Sequence, residues 1–271
     1  MTNKNSMPDI QNESDFRRIP LQKVGVKGVK YPIQVLDKSK KTQHTTADVE
    51  LYVNLPHHFK GTHMSRFIEI FHKYHKNLSL NRFLSMLEEI RKKLEAERAY
   101  GVVTFPYFIE KHAPVTKESA IMCYTCSYEG AVGKDFHNFF ISVDVPVTTL
   151  CPCSKAISDK GAHNQRGRVR VKLLYSDFFW IEDLIFAVEQ CASSALYSLL
   201  KRPDEKFVTE RAYDNPRFVE DIVREVYLAL KKFPVERPFA WFCVEAENEE
   251  SIHAHNAYAC AEYGSYEPFQ I

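Results

Sequence analysis

The chain has 271 residues, with 36 basic against 35 acidic side chains, 45% hydrophobic and 26% charged residues. That length can bury a full core in one large or two ordinary domains, and the composition excludes disordered and collagen-like chains. Near balance of charge excludes a global field that would draw the chain onto nucleic acid or an anionic membrane, so neither is an expected partner and any anion site has to be local.

Seven cysteines, an odd number in a chain whose polar opening stretch Met1–Arg18 lacks the apolar run of a signal peptide, predict thiols rather than a disulfide framework. No later stretch is long and apolar enough to span a bilayer, so a cytoplasmic protein is expected.

Residues 1–21 carry no apolar period and read as a flexible or peripherally docked arm. Strand patterns follow at Val24 to Leu36 and His44 to Asn54, where Val49, Leu51 and Val53 alternate with polar neighbours. After Lys60-Gly61-Thr62, the spacing of Met64, Phe67, Ile68, Phe71 and Tyr74 predicts a helix. Ser79 reads as the N-cap of a second helix, with Phe83, Leu87 and Ile90 on its stripe and its end near Tyr100-Gly101. Strand character returns at Val102 to Ile109 and Ser119 to Tyr128.

The second half starts over with strands at Phe136 to Val147 and Arg166 to Tyr175. In the latter, Arg166, Arg168, Arg170 and Lys172 alternate with Val169, Val171 and Leu173, which predicts one strongly basic face. Apolar residues from Ile181 to Leu199 predict one long helix. Asn215 reads as the N-cap of the next, with Pro216 at its first position and Val219, Ile222, Val223, Val226 and Leu230 on its stripe. Strands at Phe239 to Glu247 and His255 to Tyr263 complete the order. The expectation is an α+β chain of two tandem ββααββ modules, 22–130 and 134–271, each an antiparallel sheet with helices on one face. Sheets of this kind leave open edges, so a homo-oligomer is expected.

The densest chemistry is Cys151-Pro152-Cys153-Ser154-Lys155 followed by Gly161-Ala162-His163-Asn164-Gln165-Arg166, in the connection between two strands. A thiol and an imidazole across one turn can meet at a metal ion or form a nucleophile and base pair; the bland alternative is two cysteines packed under a loop. A second cluster is Glu245, Glu247, Glu249 and Glu250 with His253 and His255, which share a face if the strand begins there; otherwise it is a solvated acidic turn. Glu205, in the expected loop between helices, and Glu220, near a helix start at the margin of its buried face, are a third pair. On spacing alone they are ordinary helix-entry acids. Cys123 and Cys126 sit in a strand, where their side chains face opposite ways, and read as structural. Lys60 to Arg66 places basic and hydroxyl groups at a helix start, a natural place for an anion and equally a plain entry turn.

Together these segments resemble a family. The stretch Cys151 to Ser158 with Gly161 to Arg166 is similar to the signature of type IB GTP cyclohydrolases, of the GTP cyclohydrolase IV family and tunnelling-fold superfamily. Lys60 to Phe67, Glu250-Ser251-Ile252-His253 and Pro8-Asp9-Ile10-Gln11 resemble its other marks. The resemblance implies a homotetramer whose sheets close into barrels, with Cys151, His163, Glu205 and His253 at a divalent metal ion and His255 competing with His253. Zinc, manganese and iron are all admitted. It further implies that Glu220 holds the guanine edge of GTP, that Cys151 and His163 carry the chemistry, and that Lys60, Arg66, Lys155 and Arg166 meet the triphosphate. The implied reaction is hydrolysis of GTP to 7,8-dihydroneopterin triphosphate and formate, the entry to pterin synthesis. Rival readings are an archaeal-type relative giving a cyclic phosphate, an NADPH-dependent nitrile reductase of the same fold, and a non-catalytic zinc-stabilised assembly protein.

Overall fold

The structure is a computed structural model that describes residues 10–266, so Pro8 and Asp9 of the opening motif lie outside the described residues. It divides into two compact units. Of the described residues, the first takes 10–104 and 128–139, and the second takes 105–127 and 140–266.

In the first unit, β1 (Leu21–Asp37) and β2 (Lys41–Leu55) form an antiparallel hairpin, with Val35 opposite Gln43 and Val24 opposite Val53. The register slips between Val26 and Val29, where Gly28 takes a φ of +71° that a side chain would oppose. The first part of β3 (Arg98–His112) pairs with β2, setting Val103 against Val49 and Gly101 against Leu51. Helices α1 (Met64–Tyr74) and α2 (Leu80–Lys93) bury Phe67, Ile70 and Phe71, and Phe83, Met86, Leu87 and Ile90. Each such side chain, taken wholly from water, stabilises by about 1.5–3 kcal/mol. Met64, assigned to the α1 stripe by spacing, is exposed, and Ile70 is buried instead. Helix α2 stops at Lys93, before the Tyr100-Gly101 end expected for it, because Tyr100 and Gly101 are already strand residues of β3. Gly101 and Gly130, the latter in the last part of β4 (Ser119–Gly133), let α2 lie close: an added Cβ would stand 2.8 Å from Leu87 Cδ2 and 2.6 Å from Phe83 Cε1 respectively.

The described part of the arm is docked rather than loose. Lys60 donates its N–H to Glu13 O at 3.1 Å, Gly61 to Gln11 O at 3.1 Å, and Ser14 bridges to Phe59.

The second unit is built on β5 (His137–Leu150), β6 (Asn164–Leu174), β8 (Trp241–Glu249) and β9 (Ala257–Gly264), all antiparallel in that order. Val143, Val171 and Val244 are cross-strand neighbours on one face, as are Val145, Val169 and Ala246, and all are buried. Against that face, helix α4 (Ile181–Cys191) buries Leu184, Ile185 and Val188, and α6 (Val219–Lys231) buries Ile222, Val223, Val226 and Leu230. The other face carries the basic stripe, but each arginine meets acid: Arg168 lies opposite Glu247 and bonds it at 3.2 Å, Arg170 forks onto Asp144 at 2.7 and 2.9 Å, and Arg166 lies opposite Glu249. Within the stripe expected to be strongly basic, Arg168 and Arg170 are thus ion-paired, while Lys172 lies over the Phe140 ring.

The long helix expected over Ile181 to Leu199 is not formed. It ends at Cys191, and the chain turns into a two-residue strand, β7 (Ser194–Ala195), beside Thr148 and Val147 of β5. The competing partners are specific: Asn215 Nδ2 donates to Ala192 O at 2.9 Å, Lys111 Nζ donates to Leu196 O at 2.7 Å, and Ser193 Oγ accepts from Leu150 N–H at 3.1 Å. The apolar Ala192 and Ala195 that continue the spacing beyond Cys191 are buried without the helix. A helix not foreseen, α5 (Arg202–Asp214), occupies the expected loop; only Asp204 and Ala212 of it are buried, too few for a stripe. Asn215 therefore closes α5 rather than opening α6, whose N-cap is Phe218.

Two buried polar networks hold this unit. Lys111 Nζ and Tyr124 OH both donate to Glu189 Oε1, at 2.7 and 2.8 Å, with Lys111 also over the Tyr197 ring. Burial pulls the Lys111 ammonium below its ordinary pKa, against the opposing pull of the Glu189 charge. Asp204 accepts from Val115 N–H, Thr116 N–H, Thr116 Oγ and Lys201 N–H, tying the tip between β3 and β4 to the start of α5.

Candidate active site

Strands β5 and β6 are paired as far as Leu150 and Asn164, and one further bond, Cys151 N–H to His163 O at 3.1 Å, carries the ladder to the next pair. Cys151 and His163 are therefore cross-strand neighbours at the open end of the two strands, where side chains of opposed residues lie about 4.5–5.5 Å apart at Cβ. Between them runs the short helix α3 (Pro152–Ile157). Ser154 laces the turn: its N–H donates to Cys151 Sγ at 3.4 Å, its hydroxyl donates to Cys151 O at 3.2 Å and accepts from His163 N–H at 3.2 Å. Leu150, the residue before the thiol, has its N–H held by Ser193 and its carbonyl by Arg217 N–H at 3.0 Å.

The imidazole is fixed as well. His163 Nδ1 lies 3.0 Å from Gln165 Oε1 and 3.4 Å from Ser251 Oγ, and Gln165 Nε2 lies 3.5 Å from Glu250 Oε1. The Glu250-Ser251 segment, singled out in the sequence, thus meets the His163 segment. Spacing pointed to neither Gln165 nor Ser154 as a working residue. The available signal for Gln165 was its place two residues after His163 in a strand, which puts both on one face.

The remaining expected site residues are placed as follows. Glu205 is exposed on α5, and Glu220 is exposed in the first turn of α6. His253 and His255 lie between β8 and β9 rather than in a strand, both exposed, with rings stacked at 5.3 Å. Lys155 donates to Tyr213 O and lies over the Tyr213 ring. Arg166 faces the side of the sheet away from Gln165, beside Arg168, Glu247 and Glu249 in a pocket of ≈ 390 Å³. Lys60 and Arg66 belong to the first unit, where Lys60 pairs with Glu13 at 2.6 Å and Arg66 donates to Lys93 O at 3.3 Å.

Cys123 is exposed and Cys126 buried, as their opposite facing predicts, and burial pushes the Cys126 thiol well above its ordinary pKa. All seven cysteines are free. Among the described residues no group of three or more His, Cys, Asp or Glu side chains gathers as a metal cage. A thiol and an imidazole are donor types that a borderline divalent ion accepts.

A family model described as type I GTP cyclohydrolase folE2 matches residues 7–259. The chain belongs to the FolE2 family of GTP cyclohydrolases. Among its FolE2 relatives, GTP cyclohydrolase FolE2 of Geobacter metallireducens is 54% identical over 257 residues, covering 95% of this chain and 97% of the relative. Those of Geobacter sulfurreducens and Syntrophus aciditrophicus are each 55% identical over 256 residues, covering 94% of this chain and 98% and 99% of the relatives. Among solved structures, the uricase of Arthrobacter globiformis superposes with a TM-score of 0.50 at 7% identity, covering 90% of this chain and 93% of that one. At that identity the likeness is one of fold alone. It agrees with a tunnelling fold for this FolE2 member, an α+β chain with antiparallel sheet and helices on one face.

Proposed function

We propose that the chain is a GTP cyclohydrolase of the type IB kind, converting GTP and water to 7,8-dihydroneopterin triphosphate and formate at the entry to pterin synthesis. The observation that carries this reading is the thiol of Cys151 opposite the oriented imidazole of His163 at the ends of β5 and β6, in a chain more than half identical to proteins named for that activity.

Cys151 and His163 would hold a divalent ion, zinc, manganese or iron, with Glu205 and His253 as further donors. Such an ion supplies the Lewis acidity that makes water a nucleophile at neutral pH. The protein's own part is to bind, orient and move protons. His163, hydrogen-bonded through Nδ1, keeps Nε2 for the ion or for a proton in hydrolysis of the formamide formed when the imidazole ring of the purine opens. The exposed Glu220 carboxylate accepts from the donor edge of guanine. Lys60, Arg66, Lys155 and Arg166 are the cations for the triphosphate; Lys60, Arg66 and Lys155 would exchange a present partner, Glu13 or a backbone carbonyl, for phosphate oxygen.

The reading assigns the working form to a homotetramer in the cytoplasm, where GTP is at hand. The test is purified protein loaded with manganese and given GTP, followed for formate and for a fluorescent pterin after oxidation. The signal should disappear with chelator, return with divalent metal, and be absent from Cys151→Ala. Full activity in that variant refutes the role of the thiol, and a cyclic phosphate by mass analysis refutes the product.

A further inference from the structure

The half-buried His163 ring is gripped from the protein side, and the grip has a direction. Gln165 is 8% exposed, buried on the helix-facing side of β6 opposite Thr149. Its amide spans two groups: Oε1 lies 3.0 Å from His163 Nδ1, and Nε2 lies 3.5 Å from Glu250 Oε1. An ionised carboxylate only accepts hydrogen bonds, so the amide end facing Glu250 has to be the NH₂. The end facing the ring is then the carbonyl, which also only accepts. His163 Nδ1 must therefore carry the proton, leaving the Nε2 lone pair bare. In water the neutral ring prefers the opposite arrangement, with the proton on Nε2. Ser251 Oγ, at 3.4 Å from Nδ1, can accept the same N–H and does not contradict this.

We infer that Gln165 is a positioning residue that sets the tautomer of His163, with Glu250 setting the sense of the Gln165 amide, so that Nε2 is presented as a ligand or proton acceptor. The inference rests on the reading of Cys151 and His163 as the reacting pair. It adds to it a relay, Glu250 to Gln165 to His163, in which only the last member meets substrate or ion. Outer partners of this type fix ring orientation and ligand basicity.

The ring is read directly in metal-free protein labelled with ¹⁵N-histidine, at alkaline pH, with the His163 signals assigned by their loss in His163→Ala. Wild type should show Nδ1 protonated and Nε2 bare. Gln165→Leu should move the ring toward the Nε2-protonated form, Glu250→Gln should give a mixture because its amide lets Gln165 turn over, and Gln165→Glu should keep Nδ1 protonated. A wild-type ring protonated on Nε2, or a tautomer unchanged in Gln165→Leu, overturns the inference. Cobalt titration, followed by the thiolate-to-metal absorption, should show Gln165→Leu binding about 10–100-fold more weakly, with Gln165→Glu close to wild type. Wild-type affinity in Gln165→Leu also overturns it. If wild type takes up no cobalt at all, the proposed metal chemistry falls, while the ring measurement still decides the role of Gln165.

Discussion

The hydroxyl of Ser193 accepts the backbone N–H of Leu150 at 3.1 Å, one residue before Cys151, and both partners are buried. The end of α4 is thereby fastened to the strand that delivers the thiol. In Ser193→Ala the Leu150 N–H is left buried with no acceptor, at a cost of about 1–3 kcal/mol. The expected outcome is a lowered urea midpoint together with reduced GTP turnover and weaker metal binding. Unchanged stability would show that the N–H finds another partner.

Lys111 and Glu189 are paired at 2.7 Å with side chains only 16% and 5% exposed. Breaking one side of such a pair strands the other charge, so Lys111→Met should destabilise by roughly 3 kcal/mol or more. The double variant Lys111→Met with Glu189→Leu should recover much of that loss. Additive effects in the double-mutant cycle would count against a coupled pair.

Burial raises the pKa of Asp204, but bonds from the Thr116 hydroxyl and from the N–H groups of Thr116, Lys201 and Val115 outweigh it, and the carboxyl ends well below its ordinary 3.8. A carboxyl depressed in the folded state contributes stability that is fully present above its unfolded pKa and is lost as pH falls through the folded one. The melting temperature of wild type should therefore exceed that of Asp204→Asn by a constant margin near neutrality, and the margin should shrink as pH drops below 3.8. A margin that widens in acid would reverse the assigned sign.

Gly130 sits under Phe83, and an added Cβ there would be 2.6 Å from Phe83 Cε1 and 3.1 Å from Leu87 Cδ1. Gly130→Ala should cost about 1–3 kcal/mol by overpacking, measured by chemical denaturation. Phe83→Leu in the same chain should return part of it, an outcome that simple loss of backbone freedom would not produce.

Much of this protein was legible in the chain by itself. The alternation of Val143, Val145 and Val147, and of Val169, Val171 and Leu173, dictates strands because a period of two is a local property of the pleat. The stripes of α1, α2 and α6 are local in the same sense. The Cys151 and His163 segments, and the resemblance they carry, come from contiguous residues and needed no folding to be seen. Tertiary structure alone decided where α4 stops: Asn215 and Lys111, remote in sequence, take the carbonyls of Ala192 and Leu196 just past its end, Leu150 takes the Ser193 hydroxyl, and these win over helical spacing. It decided that Arg168 and Arg170 of the basic stripe are ion-paired, since the acids that meet them arrive from β5 and β8. It also decided which way the His163 ring is held, because the carboxylate that orients Gln165 comes from the far end of β8. Periodicity reports what each residue does with its chain neighbours, whereas these three outcomes are set by partners that only the folded chain brings within hydrogen-bonding distance.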